Sequence, residues 1–332
     1  MEQLDTIAII GIGLIGGSLG RALVCNHAAK RVIGIDVNKD NCRLALELNA
    51  ATETTSSLKS GAADADLIIL GAPVGLIPDL IVQAAKVNTK SALITDLGST
   101  KEKLIETLQR APLANGCRFI GGHPIAGKEK SGVEAADPNL FAGRAVVLTT
   151  FEPVSRQAIS EAAASRPAFD PAEIRRIMRP LDVDPDSPQY PARLNQIQQD
   201  RQALKLRDFS ILYDLWESVG AFVLQMSPQE HDRILAQTSH LPHVLSVALL
   251  KTLDASRIQL TGTGFRSVGR LAGGSVEIWK DILLGNSENL VSELDKFIHL
   301  LLTLRGVLDR KEQDALVQFL SDANQKYHEN FE

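Results

Sequence analysis

Cysteine is scarce in this chain, and what there is lies scattered. Cys25, Cys42 and Cys117 are the only three. That number and spacing suit a reducing compartment and argue against both a disulfide framework and a zinc cluster. Long apolar runs are missing as well: each is broken by charge or glycine well short of the roughly 20 residues a membrane span needs. The N-terminus runs almost directly into Thr6-Ile-Ala-Ile-Ile-Gly11 without a basic region or a cleavage site, so no secretion signal is expected and a cytoplasmic location is. Basic charge is not in excess either. Thirty-five Lys and Arg face 40 Asp and Glu, a formal net charge of -5, which argues against nucleic acid as a partner. An anionic small molecule is still admissible, but it needs a locally basic pocket.

The 332 residues, 44% hydrophobic and 23% charged, suffice for one large or two medium soluble domains. From residue 6 to about 150, short apolar or β-branched runs alternate with helical patterns. Thr6–Ile10, Arg31–Ile35, Leu67–Leu70, Ala92–Thr95, Arg118–Ile120 and Ala145–Leu148 read as strands. Leu19–Cys25, Asn41–Leu48, Ile77–Ala85 and Lys101–Leu108 read as helices between them. That alternation predicts a parallel sheet with helices on both faces, a doubly wound α/β domain. From about 155 to 205 proline recurs and apolar periodicity weakens, which reads as an insert with helices at Ala172–Met178 and Leu194–Leu206. A helix over Ser210–Gly220 and a last strand over Ala221–Met226 close the domain.

Beyond Ser227 the pattern is wholly helical. Ser227 is placed as an N-cap, with Pro228 at the first helical position and Glu230 completing a capping box. Pro228–Leu253, Ser275–Leu284, Glu288–Leu308 and Gln313–His328 are the expected helices. The expected domains are therefore 1–227 and 228–332.

Gly11-Ile-Gly13-Leu14-Ile15-Gly16 follows a strand and opens a helix. In that context the first glycine permits a tight turn, the second lets backbone approach a pyrophosphate, and the third lets helix and strand pack closely. The pyrophosphate would sit against the helix N-terminus, where free N–H groups and the dipole favour an anion. Asp36 ends the second strand at the expected distance. It would accept hydrogen bonds from the ribose hydroxyls and repel a 2′-phosphate, so NAD is expected rather than NADP. Ala72 and Pro73, after another strand, either line the ribose side or simply turn the chain.

Candidate chemistry gathers in three stretches. Asp96-Leu-Gly98-Ser99-Thr100-Lys101 lies at the carboxyl edge of the sheet, where doubly wound folds bind ligands. Ser99 there either reaches the nicotinamide or caps a helix. In Gly121-Gly122-His123-Pro124-Ile-Ala-Gly127-Lys128-Glu129-Lys130, His123 ends an apolar strand among glycines, which suggests a histidine standing in a cleft. In the second half, His240 and His243 sit three apart on one helical face. Arg266 and Arg270 lie in a Gly-rich stretch and suggest a carboxylate clamp, or else a solvated loop. A zinc site over His240 and His243 would need His231 or Asp232 as a third ligand, and no metal is expected.

Taken together, Gly11–Ser18, Asp96–Lys101, Gly122–Gly132, Glu230-His231-Asp232, Ser239–His243 and Gly264–Asp281 resemble the prephenate/arogenate dehydrogenase family, in its order and over nearly the whole chain. The resemblance implies a Rossmann-type domain followed by an all-helical domain that forms an intertwined homodimer, with the site between them. It implies NAD-dependent oxidative decarboxylation of prephenate on the route to tyrosine, or of its amino analogue arogenate. His123 would then take the ring hydroxyl's proton, Ser99 would orient His123 and the nicotinamide, and Arg270 would hold a carboxylate. His240, His243, Glu129, Lys128 and Arg266 would shape the rest of the substrate pocket. Three features depart from the family's pattern: the 155–205 insert, Lys128 where Thr is commoner, and Ser267 where Asp is commoner. A β-hydroxyacid dehydrogenase would instead need a catalytic lysine, for which Lys251 is the nearest candidate. A non-enzymatic NAD-sensing dimer would have no need of His123, Ser99 and Arg270.

Overall fold

The computed structural model describes residues 4–128, 130–165, 170–179 and 187–331. By internal contacts the chain divides into two compact units. Met1–Asp232 with Gly273–Gly285 forms the first, and Arg233–Ala272 with Asn286–Glu332 the second. The first unit thus runs a few residues beyond the expected boundary at 227 and takes back the short helix Val276–Gly285.

In the first unit six strands form one parallel sheet: β1 (Leu4–Ile10), β2 (Ala29–Ile35), β3 (Glu53–Thr55), β4 (Leu67–Leu70), β5 (Leu93–Asp96) and β6 (Arg118–Ile120). Their order is β3-β2-β1-β4-β5-β6, so the direction of winding reverses between β1 and β4. This is a doubly wound, Rossmann-type sheet, and the reversal opens a crevice at the carboxyl ends of those two strands. Both faces are buried, and the side chains divide by the period of two. Ile7 and Ile9 pack with Leu19, Leu23, Leu67 and Ile69, while Ala8 and Ile10 pack with Ile33, Ile35, Ile68, Leu70 and Ile81. Each such fully buried aliphatic side chain contributes about 1.5–3 kcal/mol.

Two expected strands belong elsewhere. β8 (Ala145–Thr149) and β9 (Phe222–Met226) do not extend the parallel sheet. They build a separate three-stranded sheet with β7 (Gly122–Pro124), antiparallel between β7 and β8 and parallel between β8 and β9. The chain leaves the large sheet at Gly121, whose carbonyl accepts the Thr149 N–H at 2.9 Å. Edge strand β3 carries only three residues and gave no apolar pattern to read.

The insert is more regular than its prolines suggested. Arg156–Ser165 and Pro171–Met178 are helices, and a single 29-residue helix spans Tyr190–Ser218 where two shorter ones were expected. Leu204, Phe209, Leu212, Leu215 and Trp216 are buried along it. Arg118 of β6 anchors it through a two-pronged contact with Asp208, at 2.7 and 2.6 Å.

The second unit is helical, in Leu241–Thr252, Thr263–Gly269, Ser287–Asp309 and Gln313–Phe331, with a π-helical stretch over Ala236–His240. Among the described residues, no helix is long and apolar enough to cross a membrane.

Candidate active site

The glycine loop follows β1. Gly11 has φ of 91°, a left-handed conformation, and a Cβ on it would lie 2.7 Å from the backbone of Gly71. A Cβ on Gly16 would lie 2.1 Å from the Gly11 carbonyl oxygen, so the helix Leu14–Cys25 packs directly on the turn. Gly13 is different. A Cβ there meets nothing within 4 Å, and no side chain caps the helix it precedes. Open space beside the uncapped N–H groups of a helix start is what a pyrophosphate requires. Leu14 and Ile15 are half-buried in that first turn. Across the crevice, the Gly71 N–H donates to Ile10 and carries half-buried Ala72 and exposed Pro73 to the same edge.

Asp36 follows β2 and is half-buried. Its Oδ1 accepts the Asn38 N–H at 2.8 Å, and its Oδ2 accepts the Ile12 N–H and the Asn41 amide, both at 3.2 Å. Asp36 therefore ties the glycine loop to the end of β2. A carboxylate accepts about four hydrogen bonds, so a place for a ribose hydroxyl remains. These residues fit a dinucleotide.

β7 crosses tightly over the end of β5 in the same unit, and this places His123. A Cβ on Gly122 would lie 2.7 Å from the Asp96 carbonyl, and one on Gly121 would lie 2.5 Å from Thr149 Oγ1 and 3.0 Å from the Lys101 stem. The two glycines before His123 thus accommodate protein; Gly127, with nothing within 4 Å, is the open one. His123 itself is 8% exposed. Its Nδ1 lies 2.8 Å from Nε2 of His231. His231 Nδ1 lies 2.7 Å from Asp232 Oδ1.

Asp232 in turn accepts the N–H groups of Lys101 at 2.9 Å and Glu102 at 3.0 Å, capping the helix Glu102–Gln109 from a distant part of the chain. The cap that was one of two readings for Ser99 is thereby supplied by another residue. Ser99 is half-buried beside this helix start. Asp96 instead gathers donors from Gly98 N–H (2.9 Å), Gly122 N–H (3.1 Å) and the Lys101 ammonium (2.7 Å). Lys101, wholly buried, also donates to the carbonyls of Gly98 and Thr100.

Electrostatics follow from burial. Desolvation holds the His231 pKa below the ordinary histidine value, against the raising pull of Asp232 and Asp96 and with the lowering push of Lys101. Burial alone would raise Asp232. The hydrogen bonds from His231 and from the backbone of Glu102 and Lys101 outweigh it, and the carboxyl sits below its usual range.

Lys128 is exposed and paired with Asp137 at 2.8 Å, so its charge is already matched. Glu129 falls outside the described residues. In the second unit, His240 ends the π-helical stretch and His243 follows a turn later; both are buried. The Asn286 amide meets His240 Nδ1 at 3.1 Å. Burial lowers the His243 pKa, partly opposed by a bond with the Leu271 backbone. Arg266 and Arg270 are exposed, and the stretch that carries them is not an open loop. Thr263–Gly269 is a short helix, packed by Gly269 against Leu250, and Arg270 begins a tight turn after it. Among the described residues, no three His, Cys, Asp or Glu side chains gather to hold a metal ion.

The fold and the loop define a dinucleotide-binding α/β unit joined to a helical one. Residues 19–165 match the prephenate dehydrogenase nucleotide-binding domain, and residues 227–322 match the prephenate dehydrogenase dimerization domain. The chain belongs to the prephenate dehydrogenase family, and residues 166–226, which include the whole of the long helix, lie between the two matches. Among its relatives, the prephenate dehydrogenase of Bacillus subtilis is 28% identical over 97% of this chain and 76% of its own length. The cyclohexadienyl dehydrogenase of Zymomonas mobilis is 28% identical over 97% of this chain and 95% of its own. The crystal structure of prephenate dehydrogenase from A. aeolicus, in complex with hydroxyphenyl propionate and NAD+, superposes with a TM-score of 0.74 at 27% identity, covering 98% of each chain.

Proposed function

We propose that this protein is an NAD-dependent prephenate dehydrogenase, active as a homodimer, that converts prephenate to 4-hydroxyphenylpyruvate and carbon dioxide. The observation that carries the reading is a buried imidazole, His123, held by a hydrogen bond through one ring nitrogen within the unit that bears the dinucleotide loop. Gly11, Gly13, Leu14, Ile15 and Gly16 hold the pyrophosphate, Asp36 the adenosine ribose, and Ala72 and Pro73 flank it. When bound, the nicotinamide would supply the acceptor for the hydride that leaves the carbinol carbon.

His123 accepts the ring hydroxyl's proton as that C–H bond breaks. The bond to the ring carboxylate then cleaves, its electron pair completes the aromatic ring, and the proton returns to the phenolate oxygen. Ser99 orients the imidazole and the nicotinamide. Arg270 and Arg266 offset the substrate's two carboxylates in a chain of net charge -5, and Lys128 joins them by exchanging Asp137 for a substrate carboxylate. His240, His243 and Glu129 contact its side-chain end. Half-exposed Leu301 and Leu302, with exposed Val317 and Leu320 on the next helix, support burial against a second copy.

Arogenate is the second reading, favoured by the relative named as a cyclohexadienyl dehydrogenase. NADH formation with prephenate and with arogenate, each against NAD and NADP, tests both. Prephenate with NAD is expected to give the highest kcat/KM. His123→Asn is expected to lower turnover about 10²–10⁴-fold. No oxidation of either substrate, or undiminished turnover in the variant, overturns the proposal.

A further inference from the structure

We infer that Asp232 and His231 are positioning residues that fix which nitrogen of His123 acts as the base, and that share its charge once it is protonated. The inference rests on the role proposed for His123. It starts from the hydrogens, which one arrangement satisfies with both imidazoles neutral. Lys101 N–H and Glu102 N–H can only donate, so both Asp232 oxygens are acceptors. The carboxylate stands at the start of the helix Glu102–Gln109, where backbone N–H groups and the dipole stabilise an anion. Facing it at 2.7 Å, His231 Nδ1 must carry a hydrogen.

Burial keeps His231 neutral, so its Nε2 has a lone pair and no hydrogen. His123 Nδ1, 2.8 Å away, is then the donor. Neutral His123 is left with its lone pair on Nε2. One carboxylate thus sets two tautomers in series. With the opposite setting, a bare His231 Nδ1 would oppose a carboxylate oxygen at 2.7 Å.

The same chain handles charge. When the substrate O–H bond breaks and an Nε2–H bond forms, His123 becomes a cation and its bond to His231 becomes charge-assisted. The Nδ1 proton can then pass along that bond to His231 Nε2, which moves the positive charge beside Asp232. Return of the proton to the phenolate oxygen reverses both transfers, and nothing is left over. The other charges facing His231 are Lys101, which opposes its protonation, and Asp96, which favours it. They pair with each other at 2.7 Å.

Three measurements test this. In protein labelled with nitrogen-15 histidine, His123 should show a protonated Nδ1 and a bare Nε2 at neutral pH. His231→Leu removes the acceptor. It should lower kcat at least roughly tenfold while KM changes little, and move the acid limb of the kcat/KM profile to lower pH, because an imidazole without that acceptor is a weaker base. His231→Gln restores an oxygen acceptor and should return the acid limb toward its original position. A hydrogen on His123 Nε2 in the unmodified protein overturns the inference. So does a His231→Leu enzyme whose kcat and acid limb both match the original. The nitrogen spectrum needs no substrate, so a wrong tautomer and a wrong substrate are separately visible.

Discussion

Lys101→Met separates the two things a buried ion pair can do, stabilise a fold and set the electrostatics of a neighbour. The ammonium is wholly buried and makes three contacts: Asp96 Oδ2 and the Gly98 carbonyl at 2.7 Å, and the Thr100 carbonyl at 3.2 Å. Methionine fills much the same volume, so packing is largely kept and the loss is electrostatic. What remains is a buried carboxylate with two N–H donors and no cation, together with carbonyls that have lost a donor. Removing one member of a buried pair costs about 3–5 kcal/mol, against a total of about 5–15 kcal/mol for a typical domain. Urea unfolding followed by far-ultraviolet circular dichroism measures it. The double variant Lys101→Met/Asp96→Asn removes the orphaned charge as well, and should recover roughly 1–3 kcal/mol of the loss. A single variant within about 1 kcal/mol of the original, or a double variant equal to the sum of its parts, would show that the cation is not compensating Asp96.

Arg270→Ala should act mainly on substrate binding, raising KM by the equivalent of roughly 2–5 kcal/mol if the guanidinium–carboxylate contact excludes water; a change confined to kcat refutes the clamp. Acid should destabilise the first unit in two windows. His231 has a depressed pKa when folded, so below about 6.5 the unfolded chain binds a proton that the native site resists. Stability then falls by up to about 1.4 kcal/mol per pH unit until the folded pKa is reached. Asp232 is also depressed; its contribution is complete above the ordinary carboxylate value and disappears as pH falls through its lower folded one. Urea unfolding at pH 7.5 and 5.5 should therefore show a smaller acid loss in His231→Gln than in the original chain, and equal losses would refute the assignment.

What could be read from the sequence was local. Ile7 to Ile10 alternate faces with the period of a strand, and both faces are buried, which is why the parallel sheet was legible from apolar runs alone. Ser227 accepts the Glu230 N–H at 3.1 Å, as its place before Pro228 implied. The second sheet was not legible, because β8 has the same apolar texture whichever strands it pairs with. Only the turn at Gly121 decides that, and a glycine pair before a histidine reads equally well as room for a ligand. The 29-residue helix was hidden for a related reason. Its first half is polar and largely solvent-facing, and the buried face begins only near Leu204, so its two halves carry different signals.

The pairing of His123 with His231 spans 108 residues and leaves no spacing to detect. What the sequence does contain is an Asp beside a His in a capped helix, and Asp232 makes that proximity productive. Its carboxylate serves a helix N-terminus on one side and an imidazole on the other. The helix start at Lys101 and Glu102 holds the charge in place, and that fixed charge orders the hydrogens out to His123. A carboxylate free to rotate or to take a proton could not do so. The structural cap uses both oxygens and the proposed relay shares one of them, Oδ1, so a variant that weakens the cap should also degrade the base.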